Sequence, residues 1–198
     1  MPNGSRTTLA ILGLLACSPV LLRGGAQTSE LKPEFRTSDR CVACHNGLKT
    51  RAGDDVSIGF DWRASIMANS ARDPYWQGSV RRESIDHPEA KADIENECSV
   101  CHMPVSHQEA KVQNRKSEVF VHLPFNPDNK DNAAAEDGVS CSVCHQVAKE
   151  KLGTAESFNG EFMVDTPQKQ DERPEYGPFL IDAGHKRVMQ SSTGGFVP

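Results

Sequence analysis

A mainly α chain of short helices and long loops, with little β structure, is the architecture to which this 198-residue sequence points. Three observations carry that expectation. Several segments place apolar residues at helical spacing between prolines, and glycines and prolines interrupt the remainder too often for long elements. A Cys-x-x-Cys-His pentapeptide also occurs three times, at 41–45, 98–102 and 141–145. Aromatic content is only 6%, so large core side chains are scarce and the interior has room for material other than polypeptide.

The apolar run Leu9 to Leu22, preceded by Arg6, is too short to span a bilayer and reads as a signal peptide over 1–26, with cleavage after Ala26 in Gly24-Gly25-Ala26. Leu14-Leu15-Ala16-Cys17 resembles a lipobox, which would make Cys17 a lipid anchor. The apolar run continues past Cys17 through Val20-Leu21-Leu22, which favours soluble export to the periplasm or the cell exterior. Membrane association is expected only if Cys17 is lipidated.

A polar lead-in linker over 27–40 ends in a helix start near Thr37-Ser38-Asp39, and Asn46-Gly47 stops the first short helix. Phe60 to Ala71 is expected as one helix with Trp62, Ile66 and Met67 on its apolar face, ending near Asp73-Pro74. Pro74 opens a second helix whose stripe is Tyr75, Trp76, Val80 and Ile85, closed by His87-Pro88. Pro88 to Glu97 feeds a short helix into the second pentapeptide. Val105 to Ser117 is mostly polar. Val119 to Leu123, between polar residues and Pro124, is the best strand-like run, and 126–137 reads as an exposed loop with an Ala-rich helical turn. Beyond Gln146, Gly153, Gly160, Pro167, Pro174, Gly177 and Pro178 break any long helix. The pentapeptides start 57 and 43 residues apart, which argues against a tandem repeat and for one domain over 41–190. Residues 191–198 are expected as a flexible tail or a truncated end.

A mean hydropathy of −0.54 speaks against a multispanning membrane protein. The formal net charge is −5, and removal of 1–26 takes away Arg6 and Arg23 but no acid. Without a basic run there is no electrostatic footprint for nucleic acid. The charge pairs Arg81-Arg82 and Lys149-Glu150-Lys151 read as solvated faces.

Six cysteines remain after the leader, an even number that in an exported chain suggests disulfides. Their arrangement is Cys41-Val-Ala-Cys44-His45, Cys98-Ser-Val-Cys101-His102 and Cys141-Ser-Val-Cys144-His145. At these Cys and His frequencies one chance match is expected roughly 0.01 times in such a chain. Disulfides would explain the pairs but not the His after each, and a four-thiolate zinc site would leave one pair over. Covalent haem c, three per chain, explains all nine residues: two thiols three positions apart reach the two vinyl groups on one porphyrin edge, and the adjacent His45, His102 or His145 lies under the iron as proximal ligand.

These motifs, with Gly138-Val139-Ser140-Cys141 and Cys101-His102-Met103-Pro104, resemble the multihaem cytochromes c, in particular the family that includes the tetrahaem partner of hydroxylamine oxidoreductase and the pentahaem nitrite reductases. The resemblance implies a mainly helical fold packed around closely spaced haems. Distal iron positions then need ligands. His87, His107, His122 and His185 are candidates. Trp62-x-x-Ser65-x-Met67 is similar to a segment of related proteins in which a histidine stands at the last position, which makes Met67 a fifth candidate, while a packed core methionine is the alternative.

The function expected is electron transfer between redox proteins or within an electron-transfer complex, with the acidic surface steering partners. A multihaem oxidoreductase acting on a small nitrogen or sulfur species would need an open haem with cations such as Arg72, Arg81 or Arg82 and a proton donor such as His107 or His122. A subunit or fragment of a larger electron conduit is the third alternative.

Overall fold

The computed structural model describes residues 35–126, 128, 130–164, 172–193 and 195–198, together with Met1 and Gly4. The chain divides into Met1–Leu31 and Lys32–Pro198. The expected signal peptide, Cys17 and the lead-in up to residue 34 lie outside the described residues, so only the second unit is considered below.

It is mainly helical: α1 (Ser38–Val42), α2 (Gly59–Ala64), α3 (Ile66–Asn69), α4 (Pro74–Asp86), α5 (Lys91–His102), α6 (Pro104–Val112), α7 (Lys130–Glu136), α8 (Cys141–His145) and α9 (Ala183–Thr193), with 3-10 turns between several of them. The β structure among the described residues is limited to the isolated bridges Lys49–Asp55, Val147–Val164 and Pro174–Val197. Over 35–40 the lead-in belongs to the body, since Phe35 is buried and α1 begins at Ser38.

α4 starts as its sequence dictates. Asp73 accepts the Tyr75 N–H at 2.9 Å, and Pro74 occupies the first turn, where no N–H is needed. Its inner face is Trp76, Val80 and Ser84, spaced one helical turn apart; Tyr75 and Ile85, expected in that stripe, are exposed. The Pro88–Ala90 turn returns the chain into α5, which packs on α4. Trp76, Val80, Ala71, Met103, Val119 and Ala135 form the larger core, with Cys98 and Ile94 against it; Phe35, Val105 and Val143 form a smaller one.

Two expected elements differ. The single helix over 60–71 is broken at Ser65, which is extended at ψ 156° and caps α3 by accepting the Ala68 N–H at 3.2 Å while donating to the Trp62 carbonyl at 2.7 Å. The break turns Ile66 and Met67 outward, 88% and 54% exposed, and buries Ala68 and Ala71 in their place. The run Val119–Leu123 is no strand but carries a 3-10 turn, Phe120–His122. Buried Glu95 of α5 accepts the Val119 and Phe120 N–H groups at 2.7 and 3.1 Å, so neither is free to join a ladder. Over 191–198, expected as a flexible tail or a truncated end, 191–193 complete α9, Phe196 is buried, and Val197 exchanges backbone hydrogen bonds with Arg173 and Glu175 at 2.9 and 2.8 Å.

Gly138 sets how the approach to the third pentapeptide meets α3. Its φ is +65°, and a Cβ there would lie 2.6 Å from the Met67 carbonyl oxygen, while Val139 N–H donates to that same oxygen at 3.0 Å. Gly153 has φ +82° with open space around it. Gly138→Ala is therefore expected to lower stability by more than the ~1–2 kcal/mol of left-handed backbone strain, and Gly153→Ala by no more than that strain. Urea denaturation midpoints of the two variants check the difference.

Candidate functional site

All three pentapeptides fold as one helical turn. Cys41 lies in α1 and the His45 N–H returns to its carbonyl at 2.8 Å; Cys98–His102 close α5; Cys141–His145 are α8 itself, capped by Ser140 accepting the Val143 N–H at 3.2 Å. A helix puts residues i, i+3 and i+4 on one face, so both cysteines and the histidine of each motif look the same way. The six thiols are free; in every motif the first is partly buried and the second exposed.

Two of the histidines are held by backbone oxygens. His102 Nδ1 lies 3.0 Å from the Ser70 carbonyl oxygen, and His145 Nδ1 2.5 Å from that of Tyr176. A carbonyl oxygen only accepts, so Nδ1 carries the proton in both rings and Nε2 keeps its lone pair. That is the tautomer a metal-binding imidazole needs, with its other ring nitrogen tied down. Trp76 stacks on His102, centroids 4.4 Å apart and planes 3° from parallel. Its Nε1 is buried and meets no hydrogen-bond acceptor. Burial pushes the neighbouring Cys98 thiol up, and the indole N–H opposes that shift.

The first and third motifs adjoin. Ser38 of α1 accepts the Cys141 N–H at 3.1 Å and donates to Asp137 at 2.8 Å, and Ser142 of α8 donates to the Arg36 carbonyl at 2.7 Å. The thiols of Cys41 and Cys141 are hydrogen-bonded to each other, which pushes Cys41 up and pulls Cys141 down. The second motif is tied to the third through Ser70, whose hydroxyl donates to the His102 carbonyl at 3.0 Å and lies against Gly138. Around His145, buried Arg173 donates to Gln146 at 3.3 Å and Gln146 to Glu175 at 2.9 Å. Burial raises Glu175 to about 7 and Asp137 to about 6.

The five proposed distal residues are scattered. Met67 is exposed on α3, and His87 is exposed beyond α4, 3.9 Å from Glu89. His107 of α6 is half-buried with Nδ1 3.2 Å from Ser99 Oγ, and burial lowers its pKa. It lines a cleft of about 430 Å³ with Glu97, Val100 and Lys111. His122 has Nε2 3.3 Å from Ser106 Oγ and Nδ1 3.3 Å from Asn132 Oδ1, so both ring nitrogens are engaged. His185 is exposed on α9 with Nδ1 2.7 Å from Asp182. Among the described residues no three His, Cys, Asp or Glu converge to hold a metal ion. The arginines suggested for an open site do not converge on one: Arg72 pairs with Glu136 at 3.6 Å, Arg81 covers the Phe120 ring at 4.9 Å, and Arg82 pairs with Asp86 at 2.7 Å.

Ser70, Trp76, Tyr176 and Ser38 were not singled out from the sequence. Ser70 and Tyr176 act through backbone oxygens some thirty residues from the histidines they hold, and side-chain type carries no signal for that. Comparison with known protein families, with characterised proteins and with solved structures finds no match.

Away from the motifs, Glu109 of α6 accepts the Phe35 N–H at 3.0 Å, and burial raises it from 4.5 to about 7. The folded chain therefore binds this proton more tightly than the unfolded chain, and stability falls as pH rises between about 4.5 and 7. Asp137 and Glu175 act in the same direction. Glu109→Gln keeps an acceptor but removes the titration, so the loss of stability between pH 5 and pH 8 is expected to be smaller in the variant, as read by urea midpoints at the two pH values.

Proposed function

We propose that this chain is an exported c-type cytochrome that carries three covalent haems and passes electrons between redox partners. The observation that supports it most directly is the pair of imidazoles, His102 and His145, each held with Nδ1–H on a carbonyl oxygen and Nε2 free, immediately after two free thiols on the same helical face. The residues fit the group in three further respects. Each motif offers two thiols and an imidazole from one turn. Beside the second motif, Trp76 gives an apolar wall against Cys98 and His102. Large apolar side chains, among them Phe179 and Leu180, stand exposed, surface of the kind that a bound apolar group covers.

In this reading Cys41, Cys44, Cys98, Cys101, Cys141 and Cys144 form the thioethers, and His45, His102 and His145 are the proximal ligands. Bound there, haem supplies one-electron iron chemistry. The protein's part is to hold His102 and His145 in their ligand tautomer, to limit water around His102, and to set the motifs close together through the Cys41–Cys141 contact and the Ser70 bridge. Close spacing of redox centres favours electron passage along the chain of sites. The acidic surface steers basic partner faces, an effect that weakens with salt.

A pyridine haemochrome assay with intact mass, on protein exported by a host with cytochrome c maturation, is expected to give three haems per chain. Cys98→Ser/Cys101→Ser should give two, and so should the corresponding change at either other motif. Absence of covalent haem under these conditions would overturn the proposal and return the cysteines to disulfides or zinc.

A further inference from the structure

The second motif differs from the other two in how its histidine is surrounded. His45 and His145 are exposed, whereas His102 is half-buried between a carbonyl and an indole. The Ser70 oxygen fixes one edge of the imidazole at Nδ1, and Trp76 covers its face at 4.4 Å with planes 3° apart. One contact restrains translation of the ring, and the other restrains its rotation about the Cβ–Cγ bond. Trp76 itself has little freedom. It is 6% exposed, lies in the larger core with Val80 and Met103, and stands at the start of α4 behind the Asp73-Pro74 cap.

We propose that Trp76 is a positioning residue for the iron ligand His102 and thereby sets the reduction potential of the haem at the second motif. The inference rests on the cytochrome reading above and adds to it a named control of one site. Two physical effects lead from the stack to the potential. A ferric haem carries one more positive charge than a ferrous one, so a ligand kept from water by an indole disfavours the oxidised state and raises the potential. A fixed imidazole plane also fixes how the ligand overlaps with the iron orbitals, which the ferric low-spin electron paramagnetic resonance signal reports. The buried Nε1 places a partial positive charge next to Cys98, which disfavours the ferric state as exclusion of water does. Among the described residues no aromatic ring stacks on His45 or His145, so the control is local to one haem.

The test compares Trp76→Leu and Trp76→Phe with the unaltered chain, each first shown by pyridine haemochrome to hold three haems. Leucine fills the core but offers no plane; phenylalanine keeps a plane but loses the N–H and part of the area. The expected result is that one of three potentials moves down, further for Leu than for Phe, while one of three ferric low-spin signals changes its g values and the other two stay. The component that moves should be the one missing from Cys98→Ser/Cys101→Ser. Should the leucine variant fail to load its second haem, the phenylalanine variant decides alone: a downward shift of that one potential supports the inference, and no shift overturns it. Three haems with unmoved potentials, or with all three moved together, overturn the inference and leave the cytochrome reading intact. An unaltered chain without haem overturns both.

Discussion

A carbonyl oxygen can accept a hydrogen bond but cannot donate one, and that asymmetry decides the neutral tautomer of two histidines here. Ser70 and Tyr176 present such oxygens to His102 and His145, so each Nδ1 must carry the proton. The backbone has to be brought to those places, and much of the fold serves that end. The break at Ser65 and the 3-10 turn Ser70–Arg72 deliver the first oxygen. The segment after Arg173, tied to Val197 and to Gln146, delivers the second.

The protein core is modest for a unit of this length. Its larger cluster relies on Trp76, Val80, Met103 and Val119, and much of the remaining cohesion comes from buried polar side chains: Glu95 on the Val119 and Phe120 amides, Ser38 between Asp137 and Cys141, Gln146 between Arg173 and Glu175. Buried polar contacts of this kind specify a geometry more than they stabilise it, because desolvation offsets most of their gain. Three porphyrins would add a large apolar area to such a core.

What the sequence made legible was local. The Asp73-Pro74 start follows from residues a few positions apart, and the structure has it, while the first short helix stops at Val42, ahead of the Asn46-Gly47 stop that the sequence suggests. The failures share a cause in long-range partners. Val119–Leu123 has strand-like residues, but its amides answer to Glu95, more than twenty positions away. Ile66 and Met67 keep helical spacing, but Ser65 caps its own short helix and turns that spacing outward. The tail looks structureless by composition, yet Phe196 finds a buried place and Val197 a backbone partner at 173 and 175. The candidate site divides in the same way: its cysteines and histidines were legible, and the groups that hold them were not.

The adjacency of the first and third motifs has the same origin, and it bears on how the sites are wired. Cys41 and Cys141 are a hundred positions apart, yet their thiols are neighbours because Ser38 reaches over to the first amide of α8 and Ser142 reaches back to Arg36. The second motif meets the third by another route, through Ser70 and the Cβ-free space at Gly138. The third motif is therefore the one in contact with both of the others, although it comes last in the chain. In the proposed cytochrome an electron arriving at either the first or the second site would have the third as its near neighbour. The fully buried guanidinium of Arg173 and the Glu175 carboxyl stand beside that same motif. In the proposed cytochrome a change of charge at the third site would act on these buried groups.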